Sequence, residues 1–351
     1  MPLTLQVDGP RWRAHLRGLK ETHPDLVPVI KGNGYGLGLE RLARESGELG
    51  VDTVAVGTYA EVGRVLEHVA GADVLVLSPW RPSEPDVVYA PHVIHTVGRL
   101  IDLQALAERD DRPRVVLERL TSMRRHGLSA RDLREAASTT QPGRPGVRLE
   151  GIAVHLPFTR GSHQPEMDRL MTDVVAAGLD TRRVFASHLR DSELALLRVT
   201  YPDHEFRPRI GTDLWLGDRE ALRVTATVLD VHPVERGDVF GYRGRTAPAA
   251  GSILVVAGGT AHGIGLESPT SGATLKDRAA TIARGGLDAA GFVRSPYTID
   301  GKPRLFAEPP HMQVSMLFLP AGVAVPAVGD EVPVRVRFTA TTFDRTVVTE
   351  S

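Results

Sequence analysis

Eight short apolar runs recur through the first part of the chain, with helix-like stretches between them. They are VPVI (27–30), TVAVG (53–57), VLVL (74–77), HVIHTV (92–97), RVVLERL (114–120), LEGIAVHL (149–156), RVFASH (183–188) and FRPRIG (206–211). Runs this short and this apolar suit strands buried on both faces, as in a parallel sheet covered by helices. The intervening pattern is clearest after Thr58. Thr58 and Glu61 have capping-box spacing, and Val62, Val65, Leu66 and Val69 follow at helical intervals. Eight βα units predict an α/β fold whose first part, residues 1–222, closes into a (β/α)8 barrel of the TIM type.

Beyond Leu222 the helical period fades. VTATVLDVHPV (224–234), SILVVAGG (252–259), VSMLFLP (314–320) and EVPVRVRFTATT (331–342) lie between Gly, Pro and Asp breaks, which predicts a C-terminal β-rich domain over 223–351. One helix-like island, LKDRAATIARGG (275–286), interrupts it, and RGRTAPAAGS (243–252) reads as an exposed loop. A length of 351 residues is ample for two such domains.

Composition removes several classes of function. The formal net charge is −1, which gives no electrostatic reason to expect nucleic acid or an acidic membrane as a partner. Cysteine is absent, and with it disulfides, thiolate nucleophiles and cysteine metal sites. The N-terminus has no basic stretch followed by an apolar one, so no signal peptide is expected. No run approaches the ~18 apolar residues of a membrane span. A cytoplasmic protein is the expectation.

In a (β/α)8 barrel, function gathers at the C-terminal ends of the strands. Lys31 follows the first run, Arg125 lies in the loop after the fifth, and His155, His188 and Arg209 end the sixth, seventh and eighth. Several cations at one rim suit an anion, above all a phosphate. VPVIKGNGYGLG (27–38) strips the backbone after Lys31 of bulk, and Gly211-Thr212 can offer amides for close approach. A lysine beside a phosphate cradle suits pyridoxal phosphate, whose aldehyde condenses with the amine. The same residues also suit a barrel that binds a sugar phosphate, with the lysine serving only as a cation.

VIKGNGYGLG resembles the lysine signature K-A-N-A-Y-G-H-G of the alanine racemase family, the fold-type III pyridoxal-phosphate enzymes. Lys31, Asn33, Tyr35, Gly36 and Gly38 match, while Gly32 and Gly34 stand for the alanines and Leu37 for the histidine. The similarity continues in order through TVAVGTYAEVGRVL, VLVLSPWRP, TSMRRHG, LEGIAVHLP, PRIGTDLW and PHMQVSM, across both domains. It implies a racemase that exchanges the proton at an amino acid's Cα through a Lys31 Schiff base. Tyr35, Gly211 and Thr212 would take the phosphate, with His188 on the same side. His155 would pack on the ring and Arg209 would meet the pyridine nitrogen. Arg125 and Met312 would meet the substrate. A head-to-tail homodimer is implied, because the family completes each site with the partner's second domain.

The pattern also departs from the family. Its second catalytic tyrosine, in G-Y-x-D-G-Y, corresponds to Thr260 in GGTAHGIG, and the aspartate there to His262. Gln313 replaces the aspartate of C-M-D-x-C-M, and Glu118 and Leu120 replace a lysine and an aspartate of the fifth strand. A further family tyrosine belongs to a segment beyond Ser351, so none is expected here. This chain is therefore identified as an atypical member. Three readings stay open: a racemase whose second base is His262 or His311, a lyase or aldolase on an amino acid, and a non-catalytic pyridoxal-phosphate binder. Glu308 and His311 in EPPHMQ form an incomplete metal pair, so no metal is expected.

Overall fold

The computed structural model describes residues 2–69, 71–141, 146–158, 161–266 and 293–350. The chain begins with a strand, Leu3–Val7 (β1), and a helix, Gly9–Thr22 (α1). The next strands are Val27–Ile30 (β2), Thr53–Val56 (β3), Asp73–Pro79 (β4), Val93–Val97 (β5), Arg114–Arg119 (β6), Arg148–His155 (β7), Arg183–Ser187 (β8) and Glu205–Ile210 (β9). Helices Leu39–Glu48 (α2), Val62–Leu66 (α3), Leu100–Ala107 (α4), Ala130–Thr139 (α5), Gln164–Ala177 (α6), Asp191–Thr200 (α7) and Thr212–Leu216 (α8) alternate with them, except between β4 and β5. Among the described residues, β2 to β9 form a closed parallel barrel, sealed where Val27 and Pro28 pair with Arg209 and Ile210. This is the predicted TIM-type architecture.

The helices follow from apolar residues on one face. Leu39, Leu42, Ala43 and Ser46 of α2 are buried at helical spacing. Ser129 caps α5: its hydroxyl accepts the Asp132 N–H at 3.1 Å, and the Asp132 carboxylate accepts the Ser129 N–H at 3.1 Å. At Thr58 the Glu61 carboxylate accepts the Thr58 N–H (3.2 Å), as the capping-box spacing predicts, ahead of a short α3.

The barrel interior is filled by Val27, Val29, Ala55, Leu75, Ile94, Val116, Ala153 and Phe185. Phe185, 1% exposed, is the largest of these side chains. Phe185→Ala should lower unfolding free energy by about 3–5 kcal/mol, read from denaturant midpoints. A loss below ~1 kcal/mol would place the packing elsewhere.

The chain divides into two units, Ala14–Gly217 and a second made of Met1–Arg13 with Asp218–Ser351. A boundary at 222 with the N-terminus in the barrel domain therefore differs from the structure at both ends. The reason is strand pairing. Later strands are Leu222–Val234 (β10), Val239–Phe240 (β11), Arg245–Thr246 (β12), Gly251–Ala257 (β13), Arg294–Ile299 (β14), Lys302–Phe306 (β15), Val314–Pro320 (β16), Glu331–Pro333 (β17) and Arg345–Val348 (β18). They order as β14-β15-β16-β13-β10-β1-β18, with β17 also on β10. Thus β1 pairs antiparallel with β10 from Leu3↔Ala226 to Val7↔Leu222, and parallel with β18. Leu3 and Leu5 are fully buried there.

The β-rich character of the second unit is as expected, with two differences. The expected loop at 243–252 contains β12, which pairs with β11 in a small hairpin, and the start of β13. The expected strand at 331–342 is only β17 plus a bridge from Val334 to Tyr297. The helix-like island at 275–286 lies outside the described residues. No described helix is long and apolar enough to cross a membrane.

Candidate active site

Side chains alternate along a strand, so a residue two places after a barrel-filling one also points inward, one layer higher. Val29 leads to Lys31, Val116 to Glu118, Ala153 to His155 and Phe185 to Ser187. Arg209 stands two places after Arg207, whose guanidinium lies over the Phe185 ring with 5.6 Å to its centroid. These residues form the layer at the C-terminal mouth, and the strand register sets their neighbours: His155↔Ser187 and Glu118↔Ala153.

Lys31 opens the glycine loop. Its Nζ is held below the ordinary lysine range, first by loss of water, then by Arg125 and Arg209, with Glu61 opposing. More of this amine is therefore neutral and nucleophilic near pH 7 than an ordinary lysine would be. Glu61 also clamps the loop. Its carboxylate accepts the N–H groups of Gly32 (2.7 Å) and Gly57 (2.6 Å). Gly34 has φ +61°, and a Cβ there would meet the Leu39 nitrogen at 2.7 Å, so only glycine fits the turn. Tyr35 is itself left-handed at φ 54°, a costly state for a bulky side chain. Burial holds it there and, with Glu61, pushes its phenol above the ordinary range.

Tyr35 points at Gly211: a Cβ on Gly211 would lie 2.2 Å from the Tyr35 Oη. Thr212 begins α8, and Trp215 anchors that helix by donating Nε1–H to the Val29 carbonyl at 2.8 Å. Arg209 is 7% exposed, and its Nη2 donates to the Val154 carbonyl at 2.9 Å. Its Nε–H is buried with no hydrogen-bond partner among the described residues. A buried donor left unmet costs about 1–3 kcal/mol, which suits a group built to receive an acceptor. Burial lowers the guanidinium to about 10, Glu118 opposing and Arg125 adding, so it stays charged at neutral pH.

His155 Nδ1 shares a hydrogen bond with Ser187 Oγ (3.2 Å), and its ring lies 5.2 Å from that of His188. Burial, then Arg209, Arg125, His188 and Lys31, push it down to about 3. His188 has φ 65°, and its Nδ1 donates to the Leu156 carbonyl at 2.8 Å. It too is lowered, mainly by burial. Ser187, rather than His188, takes the inward strand position beside His155. Sequence reading passed over Ser187, though the two-residue step from Phe185 points to it. Arg125 is exposed in the loop after β6 and acts electrostatically on Lys31 and His155.

A neutral histidine held in the fold makes stability depend on pH. His95 of β5 is 1% exposed, shares a 2.7 Å hydrogen bond between Nδ1 and Tyr59 Oη, and is lowered by burial from 6.5 to about 4. Below 6.5 the unfolded chain binds this proton and the folded one does not. Stability contributed by a neutral His95 is thus full above that value and is lost as pH falls toward 4. Relative to His95→Gln, the parent should lose about 1.4 kcal/mol per pH unit between roughly pH 6 and pH 4. Parallel stability–pH curves would contradict this.

The remaining expected residues belong to the second unit. His262 is 8% exposed, with Nδ1 accepting the Gly259 N–H (3.2 Å) and Nε2–H donating to Asp344 Oδ1 (3.0 Å). Asp344 Oδ2 also accepts the Leu3 N–H at 2.8 Å, so His262 helps tie β1 into its sheet. To act as a base it would first have to give up one of those two bonds. His311 differs: Nε2 meets Glu308 Oε1 at 2.7 Å, and Nδ1 has no hydrogen bond among the described residues. Thr260 donates its N–H to the His311 carbonyl (2.8 Å), and Met312 is 73% exposed beside it. No group of three or more metal-ligating side chains occurs among the described residues.

Residues 7–217 match the family model described as alanine racemase, N-terminal domain. The alanine racemase of Nitratidesulfovibrio vulgaris (strain Miyazaki F) is 28% identical over 272 residues, 71% of this chain and 72% of that one. The structure of an alanine racemase from Bartonella henselae with covalently bound pyridoxal phosphate aligns at a TM-score of 0.74 and 15% identity, over 99% of this chain and 100% of that one. An alanine racemase from E. faecalis aligns at 0.70 and 19% identity, over 99% and 98%.

Proposed function

The chain belongs to the alanine racemase family, and from that premise we propose that it is a pyridoxal-phosphate-dependent amino-acid racemase, a cytoplasmic homodimer with alanine as the first substrate to test. The single observation that carries the reading is the barrel mouth itself. A lysine held below its ordinary range shares one rim with an arginine whose buried Nε–H has no acceptor among the described residues.

Both features fit the cofactor. The Arg209 Nε–H suits the lone pair of a pyridine nitrogen. Gly211 lets the Tyr35 hydroxyl come close to the backbone of the 211–212 turn, since a Cβ there would lie 2.2 Å from it. Pyridoxal phosphate, when bound, supplies an electron sink that makes the amino acid's Cα–H acidic. Lys31 is the residue that would hold its aldehyde, and Nζ would take or return the proton on one face of Cα. Tyr35 Oη and the Gly211 and Thr212 amides would hold its phosphate, with His188 on that side. His155, neutral at physiological pH, would pack on the ring without adding charge. Arg209 stays protonated and so donates rather than accepts at the ring nitrogen. That favours simple proton exchange over side reactions. Arg125 orients the substrate carboxylate, and Met312 of the partner subunit contributes to the substrate pocket.

Racemisation needs a second proton-transfer group on the opposite face. A threonine hydroxyl at 260 is too weak an acid for it. His262 has both nitrogens engaged, whereas His311 keeps Nδ1 available. We therefore assign the second face to His311 of the partner subunit. The lyase and non-catalytic readings gain no support from the family match.

Incubating the protein with pyridoxal phosphate and L-alanine in heavy water, followed by chiral separation, tests the proposal. Deuterated D-alanine is the expected product. Deuterium exchange with retained stereochemistry, or cleavage of a carbon–carbon bond, would overturn it in favour of another reaction.

A further inference from the structure

We propose that Glu308 is a positioning residue for proton transfer. On this inference it fixes His311 in the tautomer with hydrogen on Nε2 and leaves the Nδ1 lone pair free to exchange a proton at the substrate Cα. The inference rests on the assignment of His311 above and goes beyond it. Glu308 is 2% exposed, in the second unit, yet it is a carboxylate. A buried carboxylate is costly unless it is well partnered. Among the described residues its partners are His311 Nε2 at 2.7 Å and the Tyr242 N–H at 3.3 Å. An ionised carboxylate only accepts, so the proton between the two side chains sits on Nε2.

The surroundings shape this pair. Tyr242 lies in the turn between β11 and β12, and its ring stands edge-on to His311 with 4.8 Å between centroids. A Cβ on Gly241 would lie 2.4 Å from the Glu308 carboxyl, so the turn closes on the carboxylate only because that residue is glycine. The result is an imidazole fixed on one edge by a buried anion and walled by a ring 88% exposed. His311 itself keeps a 26% exposed side chain. This is the arrangement of a carboxylate–imidazole acid–base pair rather than of a surface ion pair.

The step balances simply. Nδ1 takes the hydrogen from Cα as a proton, and the C–H electron pair stays with the amino acid and its cofactor. The imidazole becomes an imidazolium beside the Glu308 carboxylate. Return of the proton to Cα restores the starting tautomer.

Two readouts on the full-length chain test this. The first is the ¹⁵N resonance pair of His311 in protein stripped of cofactor. The parent should show a protonated-type Nε2 and a pyridine-type Nδ1, and Glu308→Gln should show mixed tautomers. The second is racemisation, which should fall roughly 100-fold or more in Glu308→Gln at an unchanged thermal midpoint. Glu308→Asp should recover part of that loss, and it carries the same two readouts if Glu308→Gln does not fold. An unchanged rate, or a lost rate with an unchanged tautomer, overturns the role of Glu308. His311→Gln separates this from the premise. If that variant racemises at the parent rate, the assignment of His311 itself fails.

Discussion

Lys31→Ala is expected to lose racemisation by roughly 10³-fold or more while the chain folds as before. The side chain lies at the mouth of β2, two residues beyond the barrel-filling Val29, open to solvent along part of its length although its amine is poorly hydrated. Its removal leaves no cavity, so the unfolding midpoint should stay within about ±0.5 kcal/mol of the parent. What disappears is the amine that loss of water, Arg125 and Arg209 hold below the ordinary lysine range. Steady-state rates in both directions, with L- and D-alanine, provide the check. Equal loss in both is expected, because Lys31 would serve its own face of Cα in either direction, as base in one and as acid in the other. A variant with parent activity would remove Lys31 from the chemistry.

Gly211→Ala should weaken pyridoxal phosphate binding by roughly 100-fold or more. The new methyl would stand 2.2 Å from Tyr35 Oη and 3.1 Å from its Cζ. Tyr35 is buried in a left-handed conformation and cannot swing aside without opening the glycine loop. The loop would have to move, and with it the Gly211 and Thr212 amides proposed to take the phosphate. The double variant Tyr35→Phe with Gly211→Ala removes the closest overlap and should bind better than Gly211→Ala alone. That sign of coupling is the signature of a steric conflict. Cofactor titration followed by absorbance measures it. Independent, additive losses would show that the two residues do not share the site.

Much of this architecture is visible in the sequence because parallel barrel strands are short, apolar and separated by helices. VPVI matches β2 residue for residue, and the other seven runs match their strands to within a few residues. The rim is visible for the same reason: a two-residue step from a core side chain reaches Lys31, Glu118, His155 and Ser187. Ser187 is easily missed because His188, the next residue, has the more reactive side chain. The hidden features depend on partners far along the chain. LTLQV shows no sign that its neighbours are β10 and β18. His262 looks like a free histidine until Asp344, 82 residues on, is placed against it. Glu308 and His311 are three apart and can be read together. The turn at Tyr242 that closes on them lies 66 residues away and reads as part of a loop.

The proposed chemistry requires one covalent link, between Lys31 and the aldehyde of pyridoxal phosphate. The chain has four lysines, at 20, 31, 276 and 302, so it can be read residue by residue. Borohydride reduction of the protein loaded with pyridoxal phosphate, followed by peptide mass mapping, tests the link directly. A stoichiometric phosphopyridoxyl adduct on Lys31 alone is the predicted result. An adduct spread over the other lysines, or none at Lys31, would contradict it.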